Sequence, residues 1–438
     1  MNPNHSEPIP EHPPFADTCG CETTQTRNVP DTLCNRRIYI ETYGCRYNFG
    51  DSAKLVEVLE HHGCTMVDSP DDADAVVVNT CTVVGPTERR MLRRLSALSS
   101  RELYVTGCMA MVQKEAILSV CDPVFIPPGV IQDWYRTVGT VAQGSVGIVQ
   151  LAQGCNGTCT YCLTRLARGP LRSFPKNEIR QQVMALATAG TTEIQFTAQD
   201  VSSYGQDCGQ SLAGLLSDIR DIPGKYRIRI GMMNPATVMQ DLDGIVDAFS
   251  DDRIFRFIHL PVQSGSDAVL ERMGRRYTVE DFCTIVTAFR KRYPDLIIAT
   301  DMIVGFCGET NEDFSRTLDL VRRVRPNKVN VTRYSRRPFT PVAQEKDFPD
   351  YVKKDRSRLL LACAEEVYAE MNAGIVGTEV PFIVTEKIRK GSVMARSPSY
   401  TGIVINEDLP CGYEGRALLK KDRTYFFIGE RVTRFPRE

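Results

Sequence analysis

Apolar positions recur along the chain in two alternating rhythms. Ile38-Tyr39-Ile40 has the density of a strand, and Asp51 to His62 then sets Leu55, Val58 and Leu59 on one face of a helix. Ala75-Val76-Val77-Val78 is a continuous apolar run, as expected of a strand covered on both sides. Thr87 to Leu98 reads as a helix, Leu103-Tyr104-Val105 as a strand and Val124-Phe125-Ile126 as another, with a helix from Ile131. This alternation predicts an open parallel α/β sheet over residues 36–143.

Six further strand-like runs follow, at Val146–Leu151, Glu193–Thr197, Arg227–Met232, Ile254–Leu260, Leu296–Ile303 and Lys328–Tyr334. Helical segments separate them; Asn177 to Ala189 carries Ile179, Val183 and Leu186 on one face and stops at Gly190. Six βα units, closed by a long helix over Asp355–Asn372, predict a partial (β/α)6 barrel over 144–373. Short alternating strands from Val380 to Ile428 predict a small all-β barrel over 374–438. Residues 1–35, rich in Pro, Thr, Asn and acid, read as a disordered tail.

Composition narrows the class. With 438 residues, 42% apolar and 24% charged, the chain has ample material for three cores. A net charge of −1 gives no global pull toward nucleic acid or membrane, so such partners must be met by local patches. No apolar run reaches bilayer length, so no membrane partner is expected. The start Met1-Asn2-Pro3-Asn4-His5 is unlike a secretory signal. Sixteen cysteines without such a signal point to a reducing, cytoplasmic setting and to metal work rather than disulfides.

The densest candidate chemistry is Gly154-Cys155-Asn156-Gly157-Thr158-Cys159-Thr160-Tyr161-Cys162, a C-x3-C-x2-C spacing just after a strand. Three thiolates on a short loop suit an iron–sulfur cluster; zinc ordinarily asks for a fourth ligand, and no Cys or His follows locally. Three ligands on four irons leave one iron open to a small molecule, and this is the spacing of the radical S-adenosylmethionine enzymes. Buried structural thiols, or zinc with a distant ligand, are the bland alternatives.

Cys45, Cys81 and Cys108 each follow a predicted strand of the N-terminal sheet. The carboxyl ends of parallel strands share one edge, so these thiols can converge despite their separation. Three separate buried thiols fit the spacing equally well. The strand ends of the central barrel carry Gln199, Asp200, Asn234 and Gln263 in polar loops, suited to a nucleoside and amino-acid cofactor. Basic residues gather at Arg165, Arg168, Arg172, Lys176 and Arg180, and again from Arg322 to Arg337. Both are candidates for phosphate contact. Lys387, Arg389, Lys390, Arg396 and Tyr400 are the exposed candidates of the small barrel.

Together these blocks resemble the methylthiotransferases, a family of radical S-adenosylmethionine enzymes. Thr42-Tyr43-Gly44-Cys45, Val78-Asn79-Thr80-Cys81-Thr82-Val83 and Gly107-Cys108-Met109-Ala110 look like that family's auxiliary-cluster domain. The C-terminal barrel looks like its TRAM domain. Thr164-Arg165-Leu166-Ala167-Arg168-Gly169, Gly231-Met232-Met233-Asn234-Pro235 and His259-Leu260-Pro261-Val262-Gln263-Ser264-Gly265-Ser266 are similar to the archaeal and eukaryotic branch. The resemblance implies two [4Fe–4S] clusters, on Cys155, Cys159 and Cys162 and on Cys45, Cys81 and Cys108. It also implies S-adenosylmethionine, with Tyr161, Gln199, Asp200 and Gln263 as candidate contacts, and an electron-donor protein. The implied substrate is the anticodon stem-loop of tRNA, where N6-threonylcarbamoyladenosine gains a 2-methylthio group through a 5′-deoxyadenosyl radical. Isopentenyladenosine, a ribosomal-protein aspartate, or a non-catalytic iron–sulfur protein that binds RNA or carries electrons are the alternatives. One departure is Cys307, where the family usually has Pro; it is expected to alter a loop without removing chemistry.

Overall fold

A computed structural model describes residues 29–82, 85–138 and 144–432. The N-terminal sheet contains β1 (Arg37–Thr42), β2 (Thr65–Met66), β3 (Ala75–Thr80), β4 (Leu103–Gly107) and β5 (Val124–Phe125). All are parallel, in the order β2-β1-β3-β4-β5. Every residue of β3 is buried, because its alternate side chains enter two cores: Val77 joins Leu55, Leu59 and Ile131, while Val76 and Val78 join Met91 and Leu95. The expected tail lies largely outside the described residues, but its last part does not behave as one. Val29–Thr32 is a short helix, and Val29 and Leu33 are buried against Leu55 and Leu59. Two apolar side chains at helical spacing are enough to hold this segment down.

The central region begins with β6 (Val146–Gln150), followed by a small ribbon of β7 (Ala152–Gln153) and β8 (Arg172–Ser173). Then come β9 (Glu193–Thr197), β10 (Arg227–Ile230), β11 (Phe257–His259), β12 (Ile297–Val304) and β13 (Lys328–Arg333). The strands β6, β9 and β10 form one parallel sheet and β11, β12 and β13 another. Parallel bridges Ile228–Ile254 and Met232–His259 join them into a partial barrel in chain order. The pleat sorts the side chains. Ile194, Phe196, Ile228, Ile230, Ile258 and Ile298 enter the core beneath the helices, with Ile179, Val183 and Leu215. Gln195, Arg229, Phe257, His259 and Asp301 therefore line the concave side. Capping boxes at Thr278/Asp281 and Thr310/Asp313 start two of the outer helices. The helix Asp350–Ala373 covers β13 with Leu360, Ala364 and Val367.

The last region closes β14 (Glu379–Arg389), β15 (Ser392–Arg396), β16 (Gly402–Ile405), β17 (Glu414–Asp422) and β18 (Phe426–Arg431) into a five-stranded barrel, ordered β14-β15-β16-β18-β17. It is filled by Phe382, Val384, Val393, Ile403 and Phe427. It seats on the amino ends of the central strands, where Arg256 N–H donates to Pro398 O at 2.8 Å. Tyr400 therefore lies on an inward face rather than on the expected exposed one, packed against Phe255 and Phe257. Among the described residues no helix is long and apolar enough to cross a membrane.

A candidate two-centre active site

The loop after β7 is shaped to present its three thiols together. Gly154 has φ +80°, and a Cβ there would fall 1.9 Å from Pro170 O, so only glycine fits. Its N–H donates to Gln199 Oε1 at 2.7 Å. Thr158 and Thr160 hydroxyls donate to Gly274 O at 3.0 Å and Arg272 O at 2.8 Å, fastening the loop to the segment after β11. The Gly157 N–H points at Cys155 Sγ (3.2 Å), and a Cβ on Gly157 would touch the sulfurs of both Cys155 and Cys159. Burial pushes the Cys155 thiol up to about 11; the Gly157 N–H opposes this, while the charges of Asp200, Cys159 and Cys162 add to it. The charges of Cys159 and Cys162 are near enough to act on Cys155, and a cationic iron cluster would reverse that cost.

The second trio stands at the carboxyl ends of three neighbouring strands. Cys45 caps the helix Arg46–His61, Cys81 follows β3, and Cys108 opens the helix Cys108–Val112 after β4. Strands β1, β3 and β4 are neighbours, with Thr42 opposite Asn79 and Thr80 opposite Gly107. A Cβ on Gly44 would stand 2.9 Å from Cys81 Sγ. Burial raises the Cys108 thiol; Arg168 pulls it back and Cys45 pushes it further. Among the described residues Tyr47 Oη and Thr106 Oγ1 are buried around this edge with no hydrogen-bond partner, and the Arg168 guanidinium reaches Cys108. Such groups suit an acceptor with several sulfide faces. Among the described residues no three His, Cys, Asp or Glu side chains close around a single metal ion. A four-iron cluster is wide enough to keep its ligands standing apart around it.

Arg168 ties the two cysteine-bearing domains together. It ends the helix Thr164–Arg168, just beyond Cys162, yet its side chain is buried in the N-terminal domain. There it pairs with Asp51 (2.7 Å), donates to Asn48 Oδ1 (2.7 Å) and covers the Tyr47 ring. This corrects its reading as a phosphate contact: an arginine in an apolar-flanked T-R-L-A-R-G run has no sequence mark of being inside. Gln150, at the end of β6, adds a second tie by donating to Asp51 Oδ1 and Tyr47 O and accepting from Lys54. At the far edge Arg337 pairs with Glu88. The N-terminal domain thus closes the open side of the partial barrel.

The remaining expected contacts are placed as follows. Tyr161 is partly buried; its hydroxyl accepts from Arg275 (2.6 Å) and its ring stands edge-on to Phe306. Gln199 spends its carbonyl on Gly154. Asp200 stands at the end of β9, but Ser202 N–H, Ser202 Oγ, Asn234 N–H and Thr237 Oγ1 already hold its carboxylate. Gln263 has φ +71°, is buried, and bonds to β12 through its backbone. Other expected basic contacts are also engaged elsewhere: Lys176 pairs with Asp218, Arg180 with Asp221 and Arg325 with Glu370. Cys307 is buried with Phe306, Met273 and Val342. The sequence reading missed one lumen-facing set, His259–Asp301 (2.9 Å) and Asn330–Asp301 (2.7 Å); polar residues at inward positions of three consecutive strands were its signal.

Comparison with known proteins bears on this arrangement. The Radical SAM superfamily matches residues 149–321, and Uncharacterized protein family UPF0004 matches residues 37–125. A probable threonylcarbamoyladenosine tRNA methylthiotransferase of Pyrococcus horikoshii is 39% identical over 427 residues, covering 91% of this chain and all of that one. The chain belongs to the radical S-adenosylmethionine methylthiotransferases. A threonylcarbamoyladenosine tRNA methylthiotransferase of Danio rerio is 31% identical, across 78% of this chain and 68% of the relative. The radical S-adenosylmethionine methyltransferase TsrM of Kitasatospora setae shares the fold (TM-score 0.53, 15% identity, 70% of this chain and 77% of that one). As a radical S-adenosylmethionine methylthiotransferase, the chain is an enzyme that works with S-adenosylmethionine and a [4Fe–4S] cluster.

Proposed function

We propose that this enzyme methylthiolates C2 of N6-threonylcarbamoyladenosine beside the anticodon of tRNA, giving 2-methylthio-N6-threonylcarbamoyladenosine. The observation that carries the reading is Arg168, which leaves the helix just beyond Cys162 and pairs with Asp51 inside the domain that bears Cys45, Cys81 and Cys108. Relatives named for this reaction, alignable over most of the chain, support the substrate. Cys155, Cys159 and Cys162 would hold the cluster that binds S-adenosylmethionine, and Cys45, Cys81 and Cys108 a second. The bound groups supply radical chemistry able to open an unactivated aromatic C–H bond, which side-chain acids and bases cannot do.

The chain's own residues shape and shield the site. Thr158, Thr160 and Gln199 fix the first cysteine loop; Tyr161 and Arg275 wall it. Arg168 and Gln150 hold the second trio over the barrel mouth, so that a base entering from the lumen would face both. Lys387, Arg389 and Lys390 are exposed on the small barrel and would meet tRNA phosphates, as a TRAM domain would.

Mass spectrometry of nucleosides from hypomodified tRNA, incubated anaerobically with reconstituted protein, reductant and S-adenosylmethionine, tests the proposal. A methylthio group on threonylcarbamoyladenosine is expected. Its appearance on isopentenyladenosine instead would move the enzyme to the sibling reaction, and absence of 5′-deoxyadenosine would leave an electron carrier.

A further inference from the structure

The floor of the barrel lumen carries a cluster of charge that the cysteine sites do not use. Tyr400, from the small barrel, sits there with φ +67° and donates from its hydroxyl to Glu193 Oε1 at 2.7 Å. Two guanidinium groups flank its ring. Arg229, from β10, lies 5.5 Å from the ring centroid and 5.0 Å from that of Phe257; Arg396, from β15, lies 4.5 Å from Tyr400. Among the described residues both guanidiniums contact aromatic rings and pair with no carboxylate, and the Nε–H of Arg396 is buried without an acceptor. The carboxylate at hand, Glu193, already accepts from Tyr400 and from Gln195 Nε2 (2.6 Å).

We infer that Arg229 and Arg396, both held against the Tyr400 ring at the junction of two domains, form an oxyanion subsite that takes the carboxylate of the substrate's threonyl side chain. The inference rests on the function proposed above and names the part of the substrate that this floor reads. Like charges gathered in a partly buried space are unfavourable until an anion joins them. Burial pushes Arg229 below the usual arginine range; Tyr400 and Glu193 oppose this, and the like charges of Arg46 and Arg396 add to it. A planar guanidinium fork matches a carboxylate, and the aromatic rings hold both forks in place. An isopentenyl group would leave both forks unpaired, so the same floor would reject it.

The test uses full-length protein and fluorescence anisotropy with three anticodon stem-loops, bearing threonylcarbamoyladenosine, its methyl ester, or unmodified adenosine. Wild type should bind the acid about tenfold or more tighter than the ester. Arg229→Gln and Arg396→Gln should each erase that preference while binding the unmodified stem-loop as wild type does; Arg396→Lys should keep part of it. Equal wild-type affinity for acid and ester would overturn the inference. So would equal weakening of all three ligands by either glutamine variant, which would assign the pair to backbone phosphate. The wild-type comparison needs no variant to fold, and the two variants lie on different domains. Methylthio product measured on the same tRNA separates the claims: product without acid preference removes the subsite alone, and acid preference without product removes the reaction alone.

Discussion

Cys155, Cys159 and Cys162 stand on one short loop, whereas Cys45, Cys81 and Cys108 come from three loops of the N-terminal sheet. The first trio is fixed by restraints within its own domain: a glycine that only glycine can replace, two threonine hydroxyls and a glutamine carbonyl. The second depends on the order of β1, β3 and β4 and on a guanidinium delivered from outside its own domain. A local site should survive loosening of the domain junction, and an assembled one should not.

The strongest way to break this comparison is to remove one trio at a time. Cys155, Cys159 and Cys162 changed together to Ala should abolish 5′-deoxyadenosine formation and leave about half of the iron, measured on reconstituted protein. Near-zero iron would mean that the N-terminal edge holds no cluster. Next comes Arg168→Met. It strands Asp51 in a buried setting, so unfolding in denaturant should show a loss of about 3–5 kcal/mol. Its electron paramagnetic resonance spectrum should change in the signal of the second trio and not the first.

Lys54 gives a milder, pH-dependent probe of the same junction. Burial lowers its amine to about 8, and its partners are Gln132 and Gln150. The unfolded chain holds that proton to about 10.4. Between these values unfolding takes up a proton, so stability should rise with pH from about 8 to about 10. Lys54→Met should flatten the rise, read from denaturation midpoints across that range. The smallest effect is expected at the far end of the barrel. Tyr400→Phe loses one hydrogen bond to Glu193 and should cost about 1–3 kcal/mol, with the iron–sulfur spectrum of the reconstituted protein unchanged.

The strands were readable from sequence because β-branched runs such as Ala75–Val78 and alternating turns mark them directly. The small strand β2 and the ribbon β7–β8 were not, since two-residue strands carry no periodicity. The helix Val29–Thr32 was hidden by a polar, proline-containing neighbourhood, although Val29 and Leu33 bury completely. Among site residues, spacing marked the first trio and strand ends marked the second. Arg168 and Tyr400 escaped for one reason: a charged or polar side chain in a basic stretch reads as solvated unless its partner, Asp51 or Glu193, is known to be beside it.

The sequence by itself determined the alternation of strands and helices, the cysteine loop and the three cysteines placed after strands, because periodicity and spacing are properties of neighbouring residues. Tertiary structure alone decided which strands adjoin, that the N-terminal domain closes the barrel's open side, and that Tyr400 turns inward against two arginines. Those outcomes depend on contacts such as Arg168 with Asp51 and Arg337 with Glu88, formed between residues far apart along the chain.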